Sequence, residues 1–216
     1  LGRDATARDL LDPLADAYQQ GRHQDVPARV AVARSLALNG FHEDANVVLA
    51  DAADAATDDA ERKLVERTWG LLFVSKYNYR DADVSLRKVL KIDPADEAAV
   101  LAMAEIDLRS DHNVRKAKAR LDAFLSDINP RSAAALALRA EVALQDEDPE
   151  DAMARIKAAE KARADHPEVL AVKAAACKLE DDKRCFKAAL RTSTRRDPTD
   201  GRPLLAGVAG TLGAVA

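Results

Sequence analysis

Aromatic residues are scarce: Phe, Trp and Tyr make up 4% of the 216 residues, against a hydrophobic total of 48%. Ala, Val and Leu must therefore do the packing. Residues of that size suit closely packed helices better than a β-sandwich, whose strands favour aromatic and β-branched side chains. Charge of one sign is lacking too, with 33 Lys and Arg against 37 Asp and Glu and a net charge of −4. That describes a well-solvated surface without a strong field, and it argues against a nucleic-acid footprint, which is normally basic. Long apolar runs are missing as well. The longest uncharged stretch, PLLAGVAGTLGAVA from Pro203 to Ala216, falls short of the ~20 apolar residues a membrane span needs, and its Gly content is poor for a free helix. It is read as a linker or a loosely docked tail. No charged-then-apolar signal sequence is present. The chain begins at Leu1 without an initiator Met, so a processed product or a segment of something larger is expected. No Gly-rich phosphate loop, nucleophile elbow or paired-histidine zinc helix occurs either, so the expectation is a non-catalytic protein without metal or cofactor.

Against these absences stands the stretch from Lys63 to Pro94, KLVERTWGLLFVSKYNYRDADVSLRKVLKIDP. Gly70 and Ala82 are small where two antiparallel helices would cross closely, while Trp69, Phe73, Leu86 and Val89 are large where such a pair needs filling. Asp81 is placed as an N-terminal acid of the second helix, and Pro94 closes the unit. The spacing of Trp69-Gly70, Phe73, Ala82, Leu86, Val89 and Pro94 resembles the two-helix tetratricopeptide repeat.

The rest of the chain repeats the pattern. Thr6 to Gln20 predicts a leading helix ending near Gly21, interrupted by Pro13, and with it a leading segment over residues 1–22. Val26 to about Thr57 predicts a first helical pair, with Pro27 at its start, Asn39-Gly40 as a stop, and Asp51 to Glu61 lengthening the second helix. Further pairs follow at about 97–130, 131–167 and 168–198, after those at about 26–60 and 63–96, with a linker or docked tail over 199–216. Ala45, Ala82, Ala117 and Ala152, the small residues at successive second-helix crossings, are separated by 37, 35 and 35 residues. In the last pair Phe186 replaces the small residue, and in the fourth Arg139 stands where the repeat family has Leu.

Cys177 and Cys185 lie eight apart and straddle a turn at Glu180 to Lys183. Antiparallel helices joined there either bring the sulfurs within bridging range or leave two reduced, partly buried thiols. The compartment stays open, with the cytoplasm slightly favoured over a periplasmic or exported location: a missing signal fits the cytoplasm, and a bridge fits an exported protein. His23, His42, His112 and His166 fall in predicted turns and are isolated in sequence. Acidic clusters at the turns, Glu43-Asp44, Asp81, Asp111, Glu147 to Asp151 and Glu180 to Asp182, are read as stabilising the starts of second helices. Two basic runs, Arg115 to Arg120 and the set Lys183, Arg184, Lys187, Arg191, Arg195 and Arg196, are read as solvated helix faces, since no aromatic residue is interleaved for base stacking.

The resemblance implies an all-α, right-handed superhelical array of antiparallel helix pairs, an α-solenoid, in which each pair buries its apolar face on its neighbours. It also implies a scaffold or adaptor that holds a peptide or partner protein in a concave groove lined by first helices. Matched by position, the groove residues are Val30, Arg34 and Leu38; Arg67, Leu71, Val74 and Ser75; Leu101, Glu105, Leu108 and Arg109; and Ala137, Glu141 and Gln145. Family members that clamp a C-terminal carboxylate use Lys and Asn on successive first helices. Here Arg67 and Leu71, then Leu101 and Glu105, stand in those places, so that ligand is not expected. An accessory arm of a larger enzyme or membrane-associated protein is the alternative, and an RNA-binding helical repeat the less favoured one. Self-association through the end helices is left open by the sequence.

Overall fold

The structure is a computed structural model that describes residues 18, 20, 21 and 24–196. The predicted leading helix, apart from Tyr18 and Gln20, and the 199–216 tail lie outside the described residues. Ten α-helices and no strand occur among the described residues, in five antiparallel hairpins. These are α1 (Val26–Leu38) with α2 (His42–Ala55), α3 (Asp59–Ser75) with α4 (Tyr79–Ile92), α5 (Glu97–Arg109) with α6 (Val114–Asp127), α7 (Ala133–Gln145) with α8 (Pro149–Arg163), and α9 (Pro167–Leu179) with α10 (Lys183–Arg196).

Short side chains start most of these helices. Asp25, Asp58, Asn78, Asn113, Ser132 and Asp148 each accept a hydrogen bond from a backbone N–H of the first turn they precede, satisfying donors the helix itself cannot. The expected lengthening of the second helix through Asp51 to Glu61 does not occur. α2 stops at Ala55, the backbone becomes extended at Ala56, and Asp58 opens α3 by accepting from Glu61 N at 2.8 Å. Glu61 in turn accepts from Thr57 N at 2.8 Å, so the acidic stretch is a reciprocal cap rather than a continuation. The turns inside the hairpins share one device. Gly40 (φ 88°), Tyr77 (58°), His112 (47°), Glu147 (57°) and Asp181 (52°) all sit in the left-handed region, and only the first is a glycine.

The chain divides into two compact units, residues 1–102 and 103–216, with the boundary inside α5. In the first, Val30, Val32, Ala33 and Leu36 of α1 pack with Ala45, Val48, Leu49 and Ala52 of α2 and with Val65 and Leu72 of α3. α3 touches both helices of the pair before it. Trp69 faces that earlier pair rather than filling its own: it packs on this core, its indole Nε1 donates to Asn46 Oδ1 on α2 at 2.6 Å, and its ring stacks on Phe73. Gly70 lies against α4, where a Cβ would come within 2.7 Å of Leu86 Cγ, a residue with 0% exposure. The close approach is therefore to Leu86, one turn beyond Ala82.

In the second unit α7 packs on α6, α8 and α9, and α9 packs on α7, α8 and α10. α9, like α3, touches both members of the preceding pair. Ala117, Leu121 and Phe124 of α6, Ala140 and Val142 of α7, Ile156 of α8 and Val169 and Val172 of α9 are buried. α10 is poorly anchored by comparison, with only Ala189 and Ser193 buried; Phe186, at the position of the small residues, is half-buried.

Candidate interaction surfaces

The residues matched to a groove separate into three environments. Val30 and Leu108, each 2% exposed, and Glu141, at 3%, belong to the core and present nothing to a partner. The side chain reaches inward because a step of one residue rotates its direction by about 100° around the helix, enough to carry a boundary position into the interior. A second group is engaged internally. Arg67 pairs with the buried carboxylate of Asp96 at 3.0 Å, and Arg109 pairs with Glu105 at 2.8 Å and with Glu141 at 3.3 Å. Asp96 accepts from Ala99 N as well, so Arg67 ties α3 to the start of α5 within the first unit. Val74, Leu101 and Gln145 are half-buried, and Ala137 is buried.

The third group is open. Arg34 and Leu38 on α1 and Leu71 and Ser75 on the neighbouring α3 are exposed, Leu38 at 86% and Leu71 at 40%. Among the described residues Arg34 has no ion pair, and Ser75 Oγ donates to its own helix, at Leu72 O. Two large apolar side chains and one basic one are thus exposed on two first helices that pack on each other.

The second unit contains ionic groups that sequence periodicity did not find. Asp107, 0% exposed, lies 2.6 Å from Lys116 Nζ and 2.8 Å from Arg120 Nε. The Lys116 ammonium is held above its usual range, chiefly by its hydrogen bond to Asp107. These two cations are therefore not part of a freely solvated face, which corrects the reading of the Arg115 to Arg120 run. Arg139, 1% exposed, spans Asp122 on α6 and Asp151 on α8 at 2.8 Å each. The signal was its departure from the family's Leu; the two partners, 17 and 12 residues away, had none. Burial pushes the Glu141 carboxyl up to about 7, with Arg109 opposing that rise and Glu105 adding to it.

Cys177 and Cys185 are joined across the α9–α10 turn, with Cα atoms 5.7 Å apart. His42 begins α2, His112 is in a turn, and His166 precedes α9 with Nδ1 2.6 Å from Glu168 Oε2; His23 lies outside the described residues. Among the described residues no three His, Cys, Asp or Glu side chains are grouped to hold a metal ion, and no helix is long and apolar enough to cross a membrane.

Successive helix hairpins, with α3 and α9 each layered on both helices of the pair before, define a helical-repeat protein. The fold is that of tetratricopeptide-repeat proteins. The chain is similar to PilF of Pseudomonas aeruginosa, with a TM-score of 0.64 at 18% identity over 86% of this chain and 82% of that one. It is also similar to YrrB, described as a tetratricopeptide-repeat protein with an unusual peptide-binding site, with a TM-score of 0.52 at 14% identity over 89% of this chain and 96% of that one. No family model and no curated protein matches the sequence.

Proposed function

We propose that the chain is a protein-interaction module that receives a segment of a partner protein on the open face of α1 and α3. The observation that carries this reading is the exposure of Leu38 and Leu71 on neighbouring first helices, together with Arg34, which has no ion pair among the described residues. Leaving large apolar side chains in water has a cost that a partner's apolar anchor would recover, and Arg34 favours an acid next to that anchor. The peptide-binding site named for YrrB, on the same fold, supports the reading. Arg67 and Arg109 have little to offer a partner, since Asp96, Glu105 and Glu141 already engage them.

Affinity capture from the native source tests it, comparing the wild-type chain with Arg34→Glu/Leu38→Asp and with Lys91→Glu on α4 as control. Both variants alter exposed side chains. The expected result is a co-purifying protein retained by the control and lost by the double variant. A partner held equally by all three chains would end the reading.

A further inference from the structure

The basic run on α10 belongs to no part of the interaction face just described. Lys183, Arg184, Lys187, Arg191, Arg195 and Arg196 put six cations and no anion into 14 residues, in a chain whose net charge is −4. Their placement is regular. Cys185, Phe186, Ala189, Leu190 and Ser193 are the buried or half-buried positions, and the helix packs on α9. At 3.6 residues per turn, Arg184, Lys187, Arg191 and Arg195 fall within an arc of about 80° centred opposite that docked side. All four are exposed, and none has an acidic partner among the described residues. Elsewhere in the chain cations such as Lys63, Arg67, Lys88, Lys116 and Arg120 are paired with carboxylates. Like charges three and four residues apart repel one another, so this face is held at a cost that a negatively charged partner would relieve.

We propose that the face formed by Arg184, Lys187, Arg191 and Arg195 docks the chain on the surface of an anionic lipid bilayer. Two observations select this partner. The other exposed residues of the helix, Lys183, Ala188, Thr192, Thr194 and Arg196, provide no large apolar anchor and no wall to enclose a peptide, whereas a layer of headgroups needs only charge. No exposed aromatic side chain is present in α10 to stack a nucleic-acid base. The Cys177–Cys185 bridge fixes the stripe to α9 one residue after Arg184, so the cations are presented as a set.

Co-sedimentation of the full chain with vesicles tests the proposal, using phosphatidylcholine alone and phosphatidylcholine with about 30 mol% phosphatidylserine at about 0.1 M salt. Sedimentation is expected only with the anionic vesicles, and it should fall at least about tenfold when salt is raised to about 0.5 M. At roughly fivefold per basic residue near the surface, Arg184→Gln/Lys187→Gln/Arg191→Gln/Arg195→Gln should lower affinity by at least about 100-fold. Circular dichroism should show unchanged helix content in that variant, because all four positions are exposed. Equal sedimentation with neutral vesicles would overturn the proposal and assign attachment to apolar residues. Full binding by the quadruple variant would overturn it as well. So would binding of single-stranded RNA or polyglutamate at the same salt without any dependence on phosphatidylserine.

Discussion

Arg139 Nε donates to Asp122 Oδ1 at 2.8 Å, joining α7 to α6 through a guanidinium that is almost wholly withdrawn from water. Its Nη1 reaches Asp151 on α8 at the same distance, so one side chain links three helices of the second unit. The repeat family has Leu in this place, which makes the exchange a direct comparison of ionic with apolar packing. Arg139→Ala leaves a cavity and removes the positive partner of two carboxylates, and should cost about 3–5 kcal/mol. Arg139→Leu fills the space; Asp151 keeps Arg155 at 2.9 Å, and Asp122 is 41% exposed and can hydrate. It should cost about 1 kcal/mol or less. Urea denaturation of the two variants checks this, and equal losses would contradict it.

A second buried charge sets a pH dependence. The Glu141 carboxyl, pushed up to about 7 by burial against an ordinary value of 4.5, binds its proton more tightly in the folded chain than in the unfolded one. Between about pH 4.5 and 7 the folded state therefore carries more protons, and stability falls as pH rises. Asp93 and Asp151 act in the opposite sense at lower pH. Hydrogen bonding to Lys63 depresses the first; for the second, burial raises the carboxyl but Arg155 and Arg139 together outweigh it. Their contributions are present above pH 4 and lost as the medium becomes more acidic. Glu141→Gln removes the falling limb alone, and should gain about 2–3 kcal/mol over wild type at pH 8 with little difference at pH 4.5. Urea midpoints across that range test the sign; a parallel offset at all pH values would refute it.

Gly70 supplies the third test. A glycine inside a helix forfeits about 1 kcal/mol of propensity relative to Ala, so Gly70→Ala would stabilise α3 were the site open. The added Cβ instead meets Leu86 Cγ and Cδ2 at 2.7 Å, and Leu86 is fully buried with nowhere to move. Overpacking of this kind costs about 1–3 kcal/mol, which leaves a net loss of about 1 kcal/mol. The interaction is pairwise and can be isolated. In a Leu86→Ala background the same Gly70→Ala change should become neutral or stabilising, as a thermal-unfolding cycle would show.

The hairpins were legible because small residues recur where helices cross. Ala45, Ala82, Ala117 and Ala152 all have 0% exposure and occupy the fourth position of their helices. Periodicity could not say which neighbour a large residue would meet, and Trp69 turned to the preceding pair through Asn46. Nor could it reveal Asp107 or Arg139, because a pattern built on hydrophobicity assigns a charged residue to the surface unless its partner is known. Those partners stand on other helices, at distances fixed only by packing. The groove assignments failed for the same reason at Val30, Leu108 and Glu141, while Arg34, Leu38, Leu71 and Ser75 are exposed. The capping pair Asp58 and Glu61 was readable as a helix start, but the Ala-rich composition around it pointed to continuation.

The bridge between Cys177 and Cys185 provides the final test, because α10 has so little else to hold it. Its buried residues are Ala189 and Ser193, where α6 offers Ala117, Leu121, Phe124 and Leu125. Closing the short loop between the two cysteines restricts the unfolded chain by about 2–3 kcal/mol on the loop-entropy model. Reduction should therefore loosen α10 first, while the α7–α8 hairpin, with Ala140, Ala152 and Ile156 at 0% exposure, stays closed. Amide hydrogen exchange with and without reductant measures this by segment. Faster exchange confined to residues 177–196 is the expected outcome, and the Cys177→Ser/Cys185→Ser chain should match the reduced wild type in both media. Trypsin offers an independent readout, since Lys187 and Arg191 lie on exposed positions within α10 and become cleavable only when the helix opens. Unchanged exchange and cleavage after reduction would show that packing on α9 alone holds the last hairpin.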